Sequence, residues 1–478
     1  MKKLIIILIL APLGLMGQIK LNWSNEIEVN ADRTLGYARP KIALTSNNIP
    51  VVMWAKRYNL EVYTAKLNGS SFTSPVKITP AGIKAFAQDW AGPDMVASGS
   101  NVFVVFEAEP HGLGPIYLAK SDDGGASFGD TFRVSENTAT RFPTIAVAPN
   151  GTLYAAFMVF EPGDKDPHYA VSVSTDGGKT FSKDVKATGT APGESCDCCP
   201  AYLIATNTSV TLLFRNNDNN LRDIWASTST DAGKTFSLSK KVDNSGWIIG
   251  GCPSSGPSGI IVGDTLISAW MNGSSGSSRV MISNANTSDL SLGFNQNISK
   301  IVATSANQNY PIIAGDSRAM GVVWEEVNLG KRYIKLAYGT KGASSLLNQE
   351  AVIVNLDTNS LAKNPHIAYA NGTFHITWQD NKSFKIYYRS ASIDGFARLK
   401  EKSMKDIIIY PNPSNGLFYI DKNEGIKEIW IRDYQGRLIK HMTNSSVIDL
   451  RSHKGGLYTA TLVTIKGELR IKLIKKED

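Results

Sequence analysis

All four cysteines of this 478-residue chain lie in two short segments, CDCC at 196–199 and GGC at 250–252. Clustered thiols support three kinds of chemistry: disulfide formation, binding of a soft metal such as Cu or Zn, and thiol redox reactions. An even number of cysteines in an oxidising compartment favours disulfides, for example one that joins the two segments. The metal and redox alternatives stay open. The four residues are Cys196, Cys198, Cys199 and Cys252.

Two further sets of polar side chains lie in loops between predicted strands. The loop FRNNDNNLRD at 214–223 is dense in side chains that hydrogen-bond sugar hydroxyls or bind carboxylates. The segment 161–168 combines carboxylates with a histidine, a set that can bind a cation such as Ca²⁺ or act as acid and base. Solvated loop charges are the alternative. The candidate ligand-binding residues are Arg215, Asn217, Asp218, Arg222, Asp223, Glu161 and His168.

An internal repeat of 50 to 57 residues positions these loops. A proline opens a short apolar strand seven times, and each opening is followed by a second strand that ends near a bulky residue, a third strand and a weaker fourth segment. Four short strands per unit are typical of a β-propeller blade. The sequence therefore predicts an all-β propeller of seven four-stranded blades, or six if one unit is false. The opening prolines are Pro40, Pro93, Pro143, Pro200, Pro257, Pro311 and Pro365.

The segment WSNEIEV at 23–29 precedes the first repeat and has the pattern of a fourth strand without a blade of its own. We predict that it completes the last blade, because closing the ring removes exposed sheet edges. Loops before the first strand and after the second strand of each unit then share one face, where function on repeat scaffolds usually lies. Both cysteine segments are expected on that face.

Three units carry the motif S-x-D-x-G-x-x-F between the third and fourth strands, at 121–128, 174–181 and 229–236. The aspartate can accept hydrogen bonds from turn N–H groups, the glycine can take positive φ, and the phenylalanine can pack beneath the blade. The motif resembles the Asp-box, or BNR repeat, of sialidase-like propellers, over most of residues 20–400. The resemblance implies a structural role for these aspartates. They are Asp123, Asp176 and Asp231.

Resemblance to sialidases also implies three arginines that bind a carboxylate, a Tyr–Glu nucleophile pair and an aspartate as acid and base. Two places resemble the arginine signature, but Met158 and Ala55 stand where the aspartate is expected, and neither can transfer a proton. The catalytic set is therefore incomplete. The weak candidates for catalysis are Arg141, Arg39, Arg57, Tyr310 and Glu325.

After Lys400 the repeat stops and a new set of motifs begins, with YPNPSNG at 410–416, GRL at 436–438 and GGLY at 455–458. Their order resembles the C-terminal sorting domain of the type IX secretion system in Bacteroidota. The resemblance implies that residues 401–478 form a small β-sandwich that directs passage through the outer membrane, with the type IX machinery as a partner. Release or surface attachment would follow.

The N-terminus begins with two lysines and continues with an apolar run over 4–15, before a small Gly17. This pattern predicts a signal peptide over residues 1–17, since the run is short for a membrane span. The formal charge of +8 is spread over the leader, the C-terminal module and the propeller, which argues against a nucleic-acid-binding protein. A 42% hydrophobic content excludes wholesale disorder.

The sequence thus predicts an exported, sialidase-like propeller over residues 18–400 that is released or attached to the cell surface. Its loop face is expected to bind an extracellular glycan or protein. Two other classes stay open: an exo-α-sialidase or other glycoside hydrolase, and a metal- or redox-active propeller that uses the four cysteines.

Overall fold

The computed structural model describes residues 20–56, 61–299, 302–348, 350–396, 409–421, 426–433, 437–443, 445–464 and 467–476. The predicted signal peptide and the candidate Arg57 lie outside the described residues. The chain divides into two compact units, the first ending at Asp394 and the second beginning at Gly395. Helices in the described part are short 3-10 turns, Arg33–Leu35, Ser46–Asn48 and Ala343–Asn348. None of the described helices has the length and apolar character needed to cross a membrane.

The described residues of the first unit form seven antiparallel sheets, the seven blades. Before blade 1 come β1 (Leu21–Trp23) and β2 (Ile27–Glu28). Blade 1 contains β3 (Ala38–Leu44), β4 (Pro50–Lys56), β5 (Glu61–Asn68), β6 (Ser71–Phe72) and β7 (Val76–Lys77). Blade 2 contains β8 (Asp94–Ser98), β9 (Asn101–Glu107), β10 (Ile116–Ser121) and β11 (Thr131–Arg133). Blade 3 contains β12 (Thr140–Val147), β13 (Leu153–Glu161), β14 (Lys165–Ser174) and β15 (Val185–Lys186).

The remaining blades follow the same order. Blade 4 contains β16 (Glu194–Ser195), β17 (Tyr202–Ala205), β18 (Val210–Asn217), β19 (Ile224–Ser229) and β20 (Leu238–Lys241). Blade 5 contains β21 (Ser258–Val262), β22 (Thr265–Asn272), β23 (Arg279–Asn286) and β24 (Leu292–Asn297). Blade 6 contains β25 (Asn307–Gly315), β26 (Met320–Asn328), β27 (Lys331–Gly339) and β28 (Val352–Ile353). Blade 7 contains β29 (Ala362–Ala370), β30 (Thr373–Asp380) and β31 (Lys385–Ile393).

The first strands of the blades form a closed ring. β3, β8, β12, β17, β21, β25 and β29 contact one another in this order, and β29 returns to β3. β1 and β2 pair antiparallel with β31, so the N-terminal segment completes blade 7 as predicted. The predicted all-β propeller is confirmed, and it has seven blades.

Every blade has a bulky aromatic residue on its second strand. Each of the seven is almost completely buried. Aromatic side chains bury about 150–250 Å² apiece, so this repeated position supplies much of the apolar core. The residues are Trp54, Phe106, Phe157, Phe214, Trp270, Trp324 and Trp378.

The second unit has two described sheets. One contains β32 (Ile409–Tyr410), β33 (Leu417–Ile420) and β36 (Val447–Asp449). The other contains β34 (Ile426–Asp433), β35 (Leu438–Thr443), β37 (Gly456–Thr464) and β38 (Gly467–Lys475). Phe418, Ile431 and Ile448 belong to one buried cluster shared by the two sheets. The unit is therefore the predicted small β-sandwich.

Candidate functional site

Four of the first strands carry the same backbone irregularity directly before their proline. In β3, β12, β25 and β29 the register with the second strand shifts across a bulge. The residue before the proline has φ of 49° at Arg39, 55° at Phe142, 51° at Tyr310 and 48° at Asn364. A positive φ on such residues costs about 1–3 kcal/mol and persists only where the surroundings impose it. Bulges of this kind re-aim side chains.

Three of these four residues, Arg39, Tyr310 and Asn364, line a small cavity where the first strands begin, here called the axial cavity. Trp90 and His366 also contribute to its lining. Its volume of about 50 Å³ has room for roughly three to five water molecules. A carboxylate fits such a space, whereas a whole sugar ring would have to lie above it.

Arg39 is the cationic group that the bulge of β3 places at the axial cavity. Its Nη1 donates to the main-chain oxygen of Asp89 at 3.2 Å, while its Nε is buried without a hydrogen-bond partner. Burial lowers the pKa of Arg39, but an arginine stays protonated at neutral pH. An unpaired donor on a permanent cation is suited to binding an anionic oxygen.

Asp89 and Lys363 form an ion pair beside Arg39, with 2.9 Å between Nζ and the carboxylate. Gln379 links this pair to Asn364, because its Nε2 donates to Asp89 at 3.3 Å and its Oε1 accepts from Asn364 Nδ2 at 3.0 Å. Asn364 Oδ1 is buried without a partner. Asp89, Lys363, Gln379 and Asn364 are not among the candidates that the sequence predicts. Asn364 shares with Arg39 the position before an opening proline, a signal that would have found it, whereas Asp89 lies outside any motif.

Tyr310 lines the axial cavity, and Glu325 lies on β26 opposite Asn309, the residue before Tyr310. Burial and the negative charge of Glu325 raise the pKa of Tyr310 to about 12, although the charge of Arg39 opposes this. Burial also raises the pKa of Glu325, against the charge of Lys363 and a hydrogen bond from the N–H of Asn364 at 3.2 Å. A tyrosine with a raised pKa is a hydrogen-bond donor and a poor nucleophile at neutral pH.

Arg141 is not among the residues that line the axial cavity. Its guanidinium lies 4.2 Å from the ring centre of Phe160 and 3.8 Å from the carboxylate of Asp164, and its Nε is buried without a partner. The structure thus places Arg39 and Tyr310 at one cavity, with Glu325 close to Tyr310, and leaves Arg141 in a separate environment in blade 3.

The loop 214–223 was expected to contact a ligand, but Arg215, Arg222 and Asp223 in this loop are buried. Arg215 is fully buried, and its three nitrogens donate to the main-chain oxygens of Ser255, Arg222 and Met271 at 3.2, 2.8 and 2.7 Å. Asp223 is buried and accepts from the N–H of Trp247 at 3.1 Å. The polar atoms of the two residues already have hydrogen-bond partners within the protein. Arg215 and Asp223 therefore stabilise the segment that leads to Cys252.

The other predicted ligand contacts are dispersed. Asn217 and Asp218 are half-buried, and Asn217 Nδ2 donates to Glu194 at 3.0 Å. Glu161 is exposed, whereas His168 is 9% exposed with Nδ1 2.7 Å from the main-chain oxygen of Asp166. None of these four belongs to the lining of the axial cavity.

Cys198 and Cys252 form a disulfide with their Cα atoms 6.3 Å apart, which confirms the predicted link between the two segments. Cys196 and Cys199 are free, buried thiols with their sulfurs 2.9 Å apart. A hydrogen bond from Cys199, together with the charges of Arg222 and Arg215, lowers the pKa of Cys196 to about 7 against the effect of burial. Burial raises the pKa of Cys199.

The sulfurs of Cys196, Cys198 and Cys199 lie within 4.8 Å of one another, a spacing at which three thiolates can share a soft metal. With Cys198 in a disulfide, two thiols remain. That is fewer than the four ligands typical of a structural zinc site. The arrangement of the cysteines is therefore better suited to reactions between sulfur atoms than to binding a metal.

The three S-x-D-x-G-x-x-F turns share one hydrogen-bond pattern. Asp123 Oδ1 accepts from the N–H groups of Ala126 and Ser127, both at 2.9 Å. Asp176 accepts in the same way from two N–H groups at 3.0 Å, and Asp231 from that of Thr235 at 2.9 Å. Burial opposes ionisation of Asp123, but the hydrogen bonds together lower its pKa to about 2. These aspartates stabilise turns.

Residues 408–476 match the protein-family model for a secretion system C-terminal sorting domain. The second unit is therefore a sorting domain of the type IX secretion system, as predicted, and the protein is secreted to the cell surface or released. Among curated proteins, none matches the sequence.

Several solved structures resemble the chain in fold. An ulvan lyase of family PL25, bound to -[GlcA(1-4)Rha3S]-, aligns with a TM-score of 0.50 and 11% identity over 76% of this chain and 95% of that chain. The Hadza microbial sialidase Hz136 aligns with a TM-score of 0.43 and 15% identity over 64% of this chain and 68% of that chain. A protein of unknown function from Dyadobacter fermentans DSM 18053 aligns with a TM-score of 0.46 and 12% identity over 78% of this chain and 99% of that chain. At these identities the similarity concerns the fold alone.

Proposed function

We propose that this secreted propeller binds an acidic extracellular glycan at the axial cavity, with Arg39 contacting a carboxylate of the ligand. The observation that carries the proposal is that two residues that line one cavity, Arg39 and Asn364, each have a buried polar atom without a hydrogen-bond partner, Nε and Oδ1 respectively. A buried polar atom without a partner costs about 1–3 kcal/mol. A ligand that supplies an acceptor to Arg39 and a donor to Asn364 recovers that cost on binding.

The remaining lining residues favour a carbohydrate over another anion. Trp90 is half-buried and offers an aromatic ring at the cavity. Tyr310, neutral at physiological pH, can donate to a sugar hydroxyl. A chain of uronic acids combines a carboxylate, ring faces and hydroxyls. The ulvan lyase of similar fold is bound to a polysaccharide that contains GlcA.

Binding is favoured over hydrolysis because the groups that would react are restrained. Asp89 is paired with Lys363, and Glu325 is buried and accepts from the N–H of Asn364. The raised pKa of Tyr310 weakens it as a nucleophile. A glycoside hydrolase remains the second candidate, because Tyr310 and Glu325 are adjacent and Asp89 supplies a carboxyl group near Arg39.

The test is calorimetric titration of the secreted, full-length protein with oligogalacturonate, sialyllactose and a neutral cello-oligosaccharide. We expect an acidic oligosaccharide to bind at least tenfold more tightly than the neutral one, and Arg39→Gln to abolish the difference. Arg318→Gln is the matched control, since Arg318 is an exposed residue that pairs with Asp316.

Two results would overturn the proposal: equal affinity for acidic and neutral oligosaccharides, or loss of binding in Arg141→Gln with Arg39→Gln unaffected. Release of reducing ends during the titration, lost in Asp89→Asn, would instead establish the hydrolase.

A further inference from the structure

The four cysteines form a continuous series of sulfur contacts from the surface to the interior. Cys252 is exposed and is joined by the disulfide to half-buried Cys198. Cys196 lies 3.5 Å from Cys198, measured between sulfurs, and Cys199 lies 2.9 Å from Cys196. Both inner residues are completely buried. Each sulfur therefore has a neighbour in the series that it can reach with only a small movement.

Local structure holds these sulfurs in place. The N–H of Cys199 donates to the main-chain oxygen of Cys196 at 3.2 Å, which closes a turn and directs both side chains to one point. Arg222 donates from Nη1 to Cys196 Sγ at 3.0 Å and from Nε to the oxygen of Ile249 at 3.2 Å. One side chain thus joins the inner thiol to the segment that carries Cys252. A guanidinium in this position stabilises the thiolate, the form that attacks a disulfide.

We propose that the four cysteines are a dithiol–disulfide relay, in which the buried pair Cys196 and Cys199 reduces the outer disulfide between Cys198 and Cys252. In the first step the Cys196 thiolate attacks Cys198 Sγ. The bond between Cys198 and Cys252 breaks, and Cys252 leaves as a thiolate that takes a proton from solvent. In the second step deprotonated Cys199 attacks Cys196 Sγ, and Cys198 leaves and is protonated.

The net result moves two electrons and two protons from the inner pair to the outer pair. The inner pair ends as a disulfide and the outer pair as a dithiol, so the relay needs no further oxidant or reductant. Because Cys252 is exposed, the outer dithiol is accessible to a disulfide of another molecule. The relay gives the propeller a thiol-exchange activity that is independent of the proposed glycan site.

The test begins with the secreted, full-length protein in the state with one disulfide, in which Cys198 and Cys252 are joined and Cys196 and Cys199 are thiols, without added reductant. The protein is incubated with a maleimide at pH 8, quenched with acid at intervals, digested and mapped by mass spectrometry. We expect label to accumulate on Cys252 and Cys198 while a disulfide between Cys196 and Cys199 forms. Cys196→Ser should block labelling of Cys252, whereas Cys199→Ser should trap a disulfide between Cys196 and Cys198.

The relay is overturned if label accumulates on Cys196 and Cys199 while Cys252 stays in its disulfide. It is also overturned if the purified protein holds one equivalent of Zn or Cu that protects the thiols from the maleimide. Near-ultraviolet circular dichroism establishes whether each variant folds. Should Cys196→Ser fail to fold, the time course of the unsubstituted protein still decides between these outcomes.

Discussion

Arg222 Nη1 lies 3.0 Å from the sulfur of Cys196, and this contact joins a residue of the loop 214–223 to the buried thiol pair. The arginine is only 8% exposed, so its charge acts on the sulfur in a poorly solvated environment. The same side chain donates to the oxygen of Ile249. The loop for which the sequence predicts a ligand contact therefore also contributes to the cysteine cluster.

Replacing Arg222 with glutamine is expected to raise the pKa of Cys196. The pKa is about 7 with the hydrogen bond from Cys199 and the two arginine charges present, and should move towards the ordinary value of about 8.5 when one charge is lost. The pKa of Cys196 is measured from the thiolate absorbance near 240 nm, after the absorbance of Cys196→Ser has been subtracted. Arg222→Lys retains the charge and should shift the midpoint less. An unchanged midpoint in Arg222→Gln would contradict this role.

Asp94→Asn should strongly destabilise the propeller. Lys41 Nζ lies 3.0 Å from Asp94, and the two side chains are 10% and 12% exposed. Removing one partner of a buried pair leaves an uncompensated charge, at a cost of about 3–5 kcal/mol. Urea unfolding followed by tryptophan fluorescence measures the cost. Lys41→Met combined with Asp94→Asn is the control, since it removes both charges, and an equal loss in single and double variants would refute the explanation.

The same pair gives the stability a defined pH dependence. Burial raises the pKa of Asp94, but the charge of Lys41 and a hydrogen bond from Thr144 lower it below its ordinary value overall. A lowered pKa in the folded state means that the stabilisation is complete above the unfolded pKa of about 3.9 and is lost as the pH falls through the folded pKa. The free-energy difference between the unsubstituted protein and Asp94→Asn should therefore shrink below pH 4.

Trp23→Ala should weaken the closure of the ring. Trp23 lies on β1 opposite Ala391 of β31, and the guanidinium of Arg389 lies 4.5 Å from its ring centre. Loss of this cation–π contact costs about 1–2 kcal/mol, which thermal denaturation followed by circular dichroism can detect. Trp23→Phe keeps an aromatic ring and should lose less. If both variants melt at the same temperature, the ring contact does not stabilise the closure.

Asp123→Ala should lower the melting temperature by roughly 2–4 °C, because it removes the acceptor of the hydrogen bonds that form its turn. With a folded pKa of about 2, the aspartate stabilises the protein fully above about pH 4 and loses its contribution as the pH falls through about 2. Melting curves at pH 7 and pH 2 measure this. A constant difference between the two pH values would show that the charge is unimportant.

The sequence by itself determined the architecture of this protein, because the information is local and repeated. A proline at each blade opening, an aromatic residue on each second strand and turn residues between strands recur with the period of one blade. The same regularity predicted the closure by residues 23–29 and placed the two cysteine segments side by side. The disulfide between Cys198 and Cys252 joins positions 54 residues apart, one repeat.

Only the tertiary structure decided which side chains meet. Asp89 pairs with Lys363 across 274 positions because the ring brings the segment before blade 2 close to β29 of blade 7, and no local sequence pattern predicts that contact. The sequence predicts Arg215 and Arg222 as ligand contacts because polar loops usually face solvent, whereas both side chains are buried. A one-residue change of register reverses the face of a strand side chain, and bulges at the blade openings set the direction of Arg39 and Tyr310. The direction of these two side chains cannot be predicted from composition and spacing, because packing between distant segments determines it.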